Sequence, residues 1–492
     1  MSVSVTATVN EPARSIPRTS EDILALVIGL FVFALSLVSV SGIDLLGWAV
    51  STSVWTSPDK ALGTVSKAYS GVGGFVALLA TYFALAVILS LGALALKKDL
   101  KTFLPRFTVL FLLAYASWVL GSFANFAAVT PADIQKFGLQ WSLRLTPEGG
   151  YIIALLVGLI IANFLPRTAD WLKEAILPEL YIKIAIVILG GFVAITAAER
   201  LNLASTLIFR GIAAIVEAYL IYWAVVYYVA RRWFGFNREW AVPLASGISI
   251  CGVAAAISTG SAIRARPVIP VLVSSLVVVF AVVEVLVLPF IAQHFLSNEP
   301  LVAASWLGLA VKTDGAAVAS GTIAESLILT KAAASGVYYQ PGWILGTTAT
   351  VKVFIDIFIG VWSFILAYVW TNHINKQQGD KAKIVEIWER FPKFVLGFVI
   401  TFLITLAIAL IAPELTARIK AAGGEANNFR VIFFLFTFFS IGVQSNFSRL
   451  WREEGIGKLV GVYVLSLFGF VIWVGLVISW IFFAGIKPPL VN

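Results

Sequence analysis

Apolar runs of about 20 residues follow one another along the chain, parted by short polar segments, and that is the length that crosses a hydrocarbon layer as a helix. The pattern predicts spans at 23–41, 71–96, 103–129, 150–165, 180–198, 207–230, 240–262, 268–293, 301–323, 343–370, 391–412, 429–446 and 459–483, about thirteen in all. Residues 42–70, with Trp48 and Trp55, read as an interfacial segment. Residues 1–20, with Pro12, Pro17, Arg14 and Arg18, read as a disordered cytoplasmic tail. The expected fold is an all-α polytopic membrane protein.

Two predicted spans are unlike the rest. The stretch 244–266 crowds Ser246, Gly247, Ser249, Gly252, Ser258, Thr259, Gly260 and Ser261 into membrane depth. The stretch 305–323 carries Lys312 and Asp314, followed by Gly315, Ser320, Gly321 and Thr322. Small and hydroxyl residues make a poor lipid-facing helix, but they suit one that breaks inside protein around a wet cavity. Amides freed at such a break attract anions. The plainer reading is close helix packing through small residues. Paired interrupted spans are a sequence pointer to a transporter core built from inverted repeats.

Composition agrees with a membrane chain. Hydrophobic residues make up 60% and charged residues 12% of the 492, with a mean hydropathy of +0.95. Soluble domains average about 25% charged residues. The net charge of +9 is dispersed among loops, so it marks orientation rather than nucleic acid. With a cytoplasmic N-terminus, nineteen Lys and Arg fall in inside loops and twelve outside, counting Arg430 at the start of the span 429–446 with the outside loop, which predicts an inside N-terminus. The single cysteine, Cys251, allows no internal disulfide, and His294 and His373 are the only histidines. No His, Cys or paired-carboxylate constellation has catalytic spacing, and no phosphate-binding loop is present. Neither an enzyme nor a cofactor or metal site is expected.

Charges at membrane depth are costly and usually pair or line a pathway. Lys312 and Asp314 combine a cationic group with a titratable carboxylate, though a structural ion pair would use the same residues. Lys352 and Asp356 stand one helical turn apart. Glu217 and Glu284 are solitary acids in apolar spans, either proton carriers or hydrogen-bonded structural acids. Cys251 has no neighbouring base and reads as a small buried residue. Gln444, Ser445 and Asn446 either line a pathway or cap a helix.

The run SGISICGVAAAIS at 246–258 resembles the GxSICGxxA signature of the YeiH-type sulfate exporter family, UPF0324. Segments 188–201, 306–321, 350–356 and 439–450 resemble further family motifs in the same order, and the likeness covers about 150–484. Residues 21–149 then read as additional N-terminal helices ahead of a family-like core. Where the family carries His-Glu and then Gln, this chain has Lys312-Thr313 and Ala316. Lys352 is kept, but Ile355 replaces the family's arginine. The resemblance implies an ion-coupled secondary transporter of the antiporter and bile-acid-transporter type, with crossing broken helices, that exports a small anion such as sulfate or sulfite.

Put together, Ser246, Gly247, Ser249, Ile250, Cys251 and Gly252 are expected to hold the anion with Lys312, Thr313 and Lys352. Asp314, Asp356, Glu217 and Glu284 are the candidate coupling acids, for H+ or Na+. The expected setting is the lipid bilayer of the cytoplasmic membrane, without nucleic acid and with homo-oligomerisation open. A cation/proton antiporter using the same acids, and a non-transporting membrane subunit of a larger complex, are the alternatives.

Overall fold

Long apolar helices dominate the computed structural model, which describes residues 21–128, 131–143, 147, 149–199, 205–206, 209–212, 216, 218–266, 268–357, 359–370, 374, 392–447 and 456–491. The expected tail at 1–20, Glu217 and His373 lie outside these residues. In chain order the main helices are α1 (Glu21–Val38), α2 (Gly74–Ala95), α3 (Leu100–Gly121), α4 (Gly149–Phe164), α5 (Pro178–Glu199) and α6 (Trp223–Tyr228). There follow α7 (Arg238–Ser249), α8 (Val253–Ala262), α9 (Val268–Phe295), α10 (Pro300–Ala310), α11 (Asp314–Ala334) and α12 (Trp343–Ile357). The last are α13 (Ile359–Val369), α14 (Lys393–Ile411), α15 (Thr416–Gln444), α16 (Ile456–Ser466) and α17 (Ile472–Phe483). Among the described residues nine helical segments are long and apolar enough to cross a membrane, or ten if the bent pair Gly149–Phe164 and Pro166–Ala175 is one of them.

The sequence pattern predicts thirteen, of which the span 207–230 falls partly outside the described residues, and two of the others fold differently from the expectation. Segments 240–262 and 301–323 do not cross. Each turns back as a helical hairpin, α7–α8 from one end of the molecule and α10–α11 from the other. The backbone N–H of Arg266, past the end of α8, donates to Glu239 at the start of α7 over 2.8 Å. In the second hairpin Glu299, just ahead of α10, accepts from Gly485 N, while Lys331 near the end of α11 donates to Gln293 O at the end of α9.

Helices α1 to α5 pack with α14 and α15 as one set, and α6 to α13 pack with α16 and α17 as another. The first set approaches through small residues. A Cβ on Gly158 of α4 would lie 2.4 Å from the Phe439 carbonyl, and one on Gly442 of α15 would lie 2.3 Å from that of Leu155. Glycine at both places lets the two backbones touch, the usual route to tight helix packing in lipid. Segment 42–70 forms a small cap with an antiparallel pair, β1 (Val50–Thr52) and β2 (Leu62–Thr64), Ser51 opposite Gly63. Val50 N donates to Thr81 of α2, and Trp55 Nε1 donates to Val119 O of α3, which ties the cap to the helices.

Candidate functional site

The first hairpin reverses at Ile250, Cys251 and Gly252. Gly252 N–H reaches back to Gly247 O over 3.1 Å and closes the end of α7. Gly252 itself has φ +63°, a left-handed conformation that disfavours any Cβ. A side chain there would also meet Val277 at 2.6 Å and the Lys312 carbonyl at 2.9 Å. The tip of one hairpin thus rests on the tip of the other. Small residues let the arms close up, with Gly247 facing Ala256 and Gly260 facing Pro243.

The second hairpin breaks at Val311, Lys312 and Thr313. Thr313 is the N-cap of α11, its hydroxyl accepting from Ala316 N. The arms close around Thr348 of α12, whose hydroxyl donates to Ala304 O while Gly321 packs against its side chain. Gly315 rests against Thr437, Ile441 and Ile182 of the first helix set. The junction of the two tips therefore lies where the two sets of helices meet.

One amine joins the tips. Lys352 Nζ donates to Ile250 O at 2.9 Å, to Val311 O at 3.2 Å and to Lys312 O at 3.5 Å, and the side chain is fully buried. These carbonyls end α7 and α10, where the helix dipoles place partial negative charge, so a cation there is favourable. The Lys352 amine also lies 4.0 Å from Asp314 Oδ1. The Cys251 thiol and the carboxylates of Asp314 and Asp356 converge beside it, their ligand atoms within 4.8 Å of one another. All three are buried.

The roles within the predicted set differ from the expectation. Lys352 pairs across helices with Asp314, rather than with Asp356 one turn along its own helix. Lys312 does not face Asp314. Its amine donates to Leu309 O and lies 5.1 Å from the Tyr222 ring centroid, and its backbone N–H donates to Glu284 over 2.9 Å. Glu284 also accepts from Tyr463 and so braces the second tip from behind. Ser246 takes the Trp223 indole N–H and holds an arm, not the tip. Ser249 Oγ, next to the tip, is buried without a hydrogen-bond partner among the described residues. Asn446 donates to Ala162 O, and Ser445 Oγ to Ile441 O, so that stretch closes a helix end away from the junction.

Sequence reasoning passed over Tyr222, Tyr463 and Thr348. It also placed Arg430 in a loop, whereas the residue is buried inside α15 with 6% exposure.

Comparison with known proteins bears on residues throughout this region. The family model described as "Conserved hypothetical protein 698" matches residues 141–460. A UPF0324 membrane protein of Nitrosomonas europaea is 40% identical over 96% of this chain and 97% of its own length. One from Rhodopirellula baltica is 31% identical over 83% of this chain and 67% of its own. An uncharacterized protein of Archaeoglobus fulgidus is 49% identical over 30% of this chain and 89% of its own. No solved structure matches.

Proposed function

The chain belongs to the UPF0324 membrane protein family, and from that premise we propose that it is a secondary transporter carrying a small anion together with protons through the hairpin junction. The observation that supports this most is the single Lys352 amine held by carbonyls of both tips, with two buried carboxylates beside it. Ionisable groups at membrane depth mark substrate and ion pathways, and helix ends meeting at the midplane are a usual transporter site.

The chemistry follows from what each helix end presents. The first arms α7 and α10 bring carbonyls, which Lys352 satisfies. The return arms α8 and α11 bring N-termini, each with about half a positive charge, and Asp314 and Asp356 stand at them. An anion at the same place competes with ionised carboxylates, so protonating Asp314 and Asp356 favours its entry. Anion and proton then travel together. Ser249, Cys251 and the Gly252 backbone line the first tip, and Thr313 lines the second.

The orientation proposed is N-terminus inside, in the cytoplasmic membrane. The first hairpin returns to the end it left, so Arg264 and Arg266 change sides, and Arg430 leaves the loops. The sequence count of Lys and Arg becomes twenty-one against nine, a stronger bias than nineteen against twelve.

Sulfate and sulfite are the first substrates to test. In proteoliposomes, a pH gradient is expected to drive their accumulation, and Asp314→Asn with Asp356→Asn to abolish it. Anion flux indifferent to both substitutions and to pH would remove the proposal. The convergence of a thiol and two carboxylates also supports a second reading, exchange of a cation for protons. Proton flux driven by a sodium gradient with no permeant anion would decide for it.

A further inference from the structure

A cleft of about 420 Å³ opens at the end of the molecule opposite residue 21, bounded by α11, the start of α12 and α15. It lies between the two helix sets and is distinct from the hairpin junction. Arg430, Asn427, Thr322, Ser326, Thr330 and Glu325 are among the residues lining it.

The charges in this cleft are arranged, not scattered. Glu325 accepts from the backbone amides of Gly342, Ile344 and Leu345 at 2.9, 2.9 and 3.0 Å, so its carboxylate is engaged by the N-terminus of α12. Arg430 is buried inside α15. Its Nε donates to Asn427 Oδ1 over 2.7 Å, and its guanidinium lies 4.8 Å from the Phe434 ring centroid. These two contacts fix the plane of a group that carries five N–H donors. The same bond to Asn427 leaves that side chain's NH2 directed elsewhere. A guanidinium held in a fixed plane at a cavity wall is suited to two oxygens of one oxyanion.

The cleft also points toward the junction. Thr322, Ser326 and Thr330 follow one another at intervals of four along one face of α11, and Asp314 and Val318 continue the same stripe. Eight residues of helix place Thr322 about 12 Å from Asp314. Buried Val318 lies between them.

We propose that this cleft is an oxyanion-binding vestibule in which Arg430 is the recognition residue, loading anion ahead of the hairpin junction. That it serves transport rests on the function proposed above, whereas binding in the cleft does not.

The test uses sulfate as the probe on purified full-length protein, reading thermal stabilisation and equilibrium binding. Wild type is expected to bind sulfate, and the Asp314→Asn, Asp356→Asn double variant to bind it no more weakly. Arg430→Gln is expected to bind at least tenfold more weakly, with Arg430→Lys between them. Should Arg430→Gln fail to fold, Ser326→Phe, which narrows the cleft while keeping the arginine, is expected to give the same loss. Sulfate binding equal in wild type and both cleft variants overturns the vestibule, and so does absence of binding in wild type. Binding lost only in the double aspartate variant overturns it too and assigns the anion to the junction. Retained binding at Arg430 with no sulfate flux in proteoliposomes leaves the vestibule standing and counts against the transport proposal alone.

Discussion

Lys352 Nζ lies 2.9 Å from the carbonyl oxygen of Ile250, a residue 102 positions earlier in the chain. A second bond from the same amine reaches Val311 O, so one ammonium group holds the turns of two hairpins that enter from opposite ends. Lys352→Met is expected to strip both tips of their shared donor and leave Asp314 without its nearest cation. Losing one partner of a buried charged network costs about 3–5 kcal/mol, so apparent melting temperature is expected to fall clearly. Thermal unfolding followed by tryptophan fluorescence or size-exclusion recovery reads this. Unchanged stability would mean the tips are held by packing alone.

Gly252 is expected to tolerate no side chain. The left-handed conformation costs an L-residue about 1–2 kcal/mol, and the added methyl would press on the Lys312 carbonyl. Gly252→Ala is expected to lower both stability and flux, and more strongly than Gly424→Ala, where a Cβ meets nothing within 4 Å. Equal behaviour of the two variants would separate the tip contact from function.

Cys251 is the chain's only cysteine and sits at the junction, so the native protein carries its own reporter. A small membrane-permeant thiol reagent is expected to label it slowly in the closed arrangement, where it is buried, and faster when a pH gradient and anion drive turnover. Labelling measured by intact-mass spectrometry checks this. A rate independent of turnover would place the thiol away from the moving parts.

Asp22 of α1 accepts from Lys183 of α5 at 2.7 Å, and Glu179 lies 3.5 Å from the same amine. These partly buried contacts tie the first described helix to the first helix set. Asp22→Asn is expected to reduce thermal stability modestly, by about 1 kcal/mol, without altering the dependence of flux on pH. A changed pH profile would bring this cluster into the coupling mechanism.

The sequence revealed where the helices break but not which way the chain leaves the break. Ser246, Gly247, Ser249 and Gly252 announce an irregular segment through composition alone. The reversal at Gly252 depends on a single left-handed residue, and on contacts such as Arg266 with Glu239, 27 positions apart, which periodicity does not encode. Lys352 was visible beside Asp356 because four residues make one turn. Its acceptors at 250 and 311 were not, because they are backbone atoms brought there by other helices. Arg430 was misplaced because α15 begins thirteen residues before the apolar run at Phe429, in a polar segment that includes Asn427. Such residues read as loop when their partners lie in a cleft.

The division of the helices into two sets bears on what has to move. Ile250, Cys251, Lys312, Asp314, Lys352 and Asp356 all belong to the set built around the hairpins, while Arg430 belongs to the other. On the transport function proposed above, cargo seated between the tips would ride as a passenger inside one carriage sliding past a rail, and leakage would be prevented by the fit of carriage to rail and not by a door. A carrier of that kind would feel the thickness of the surrounding lipid, and short-chain bilayers are where its turnover would change first.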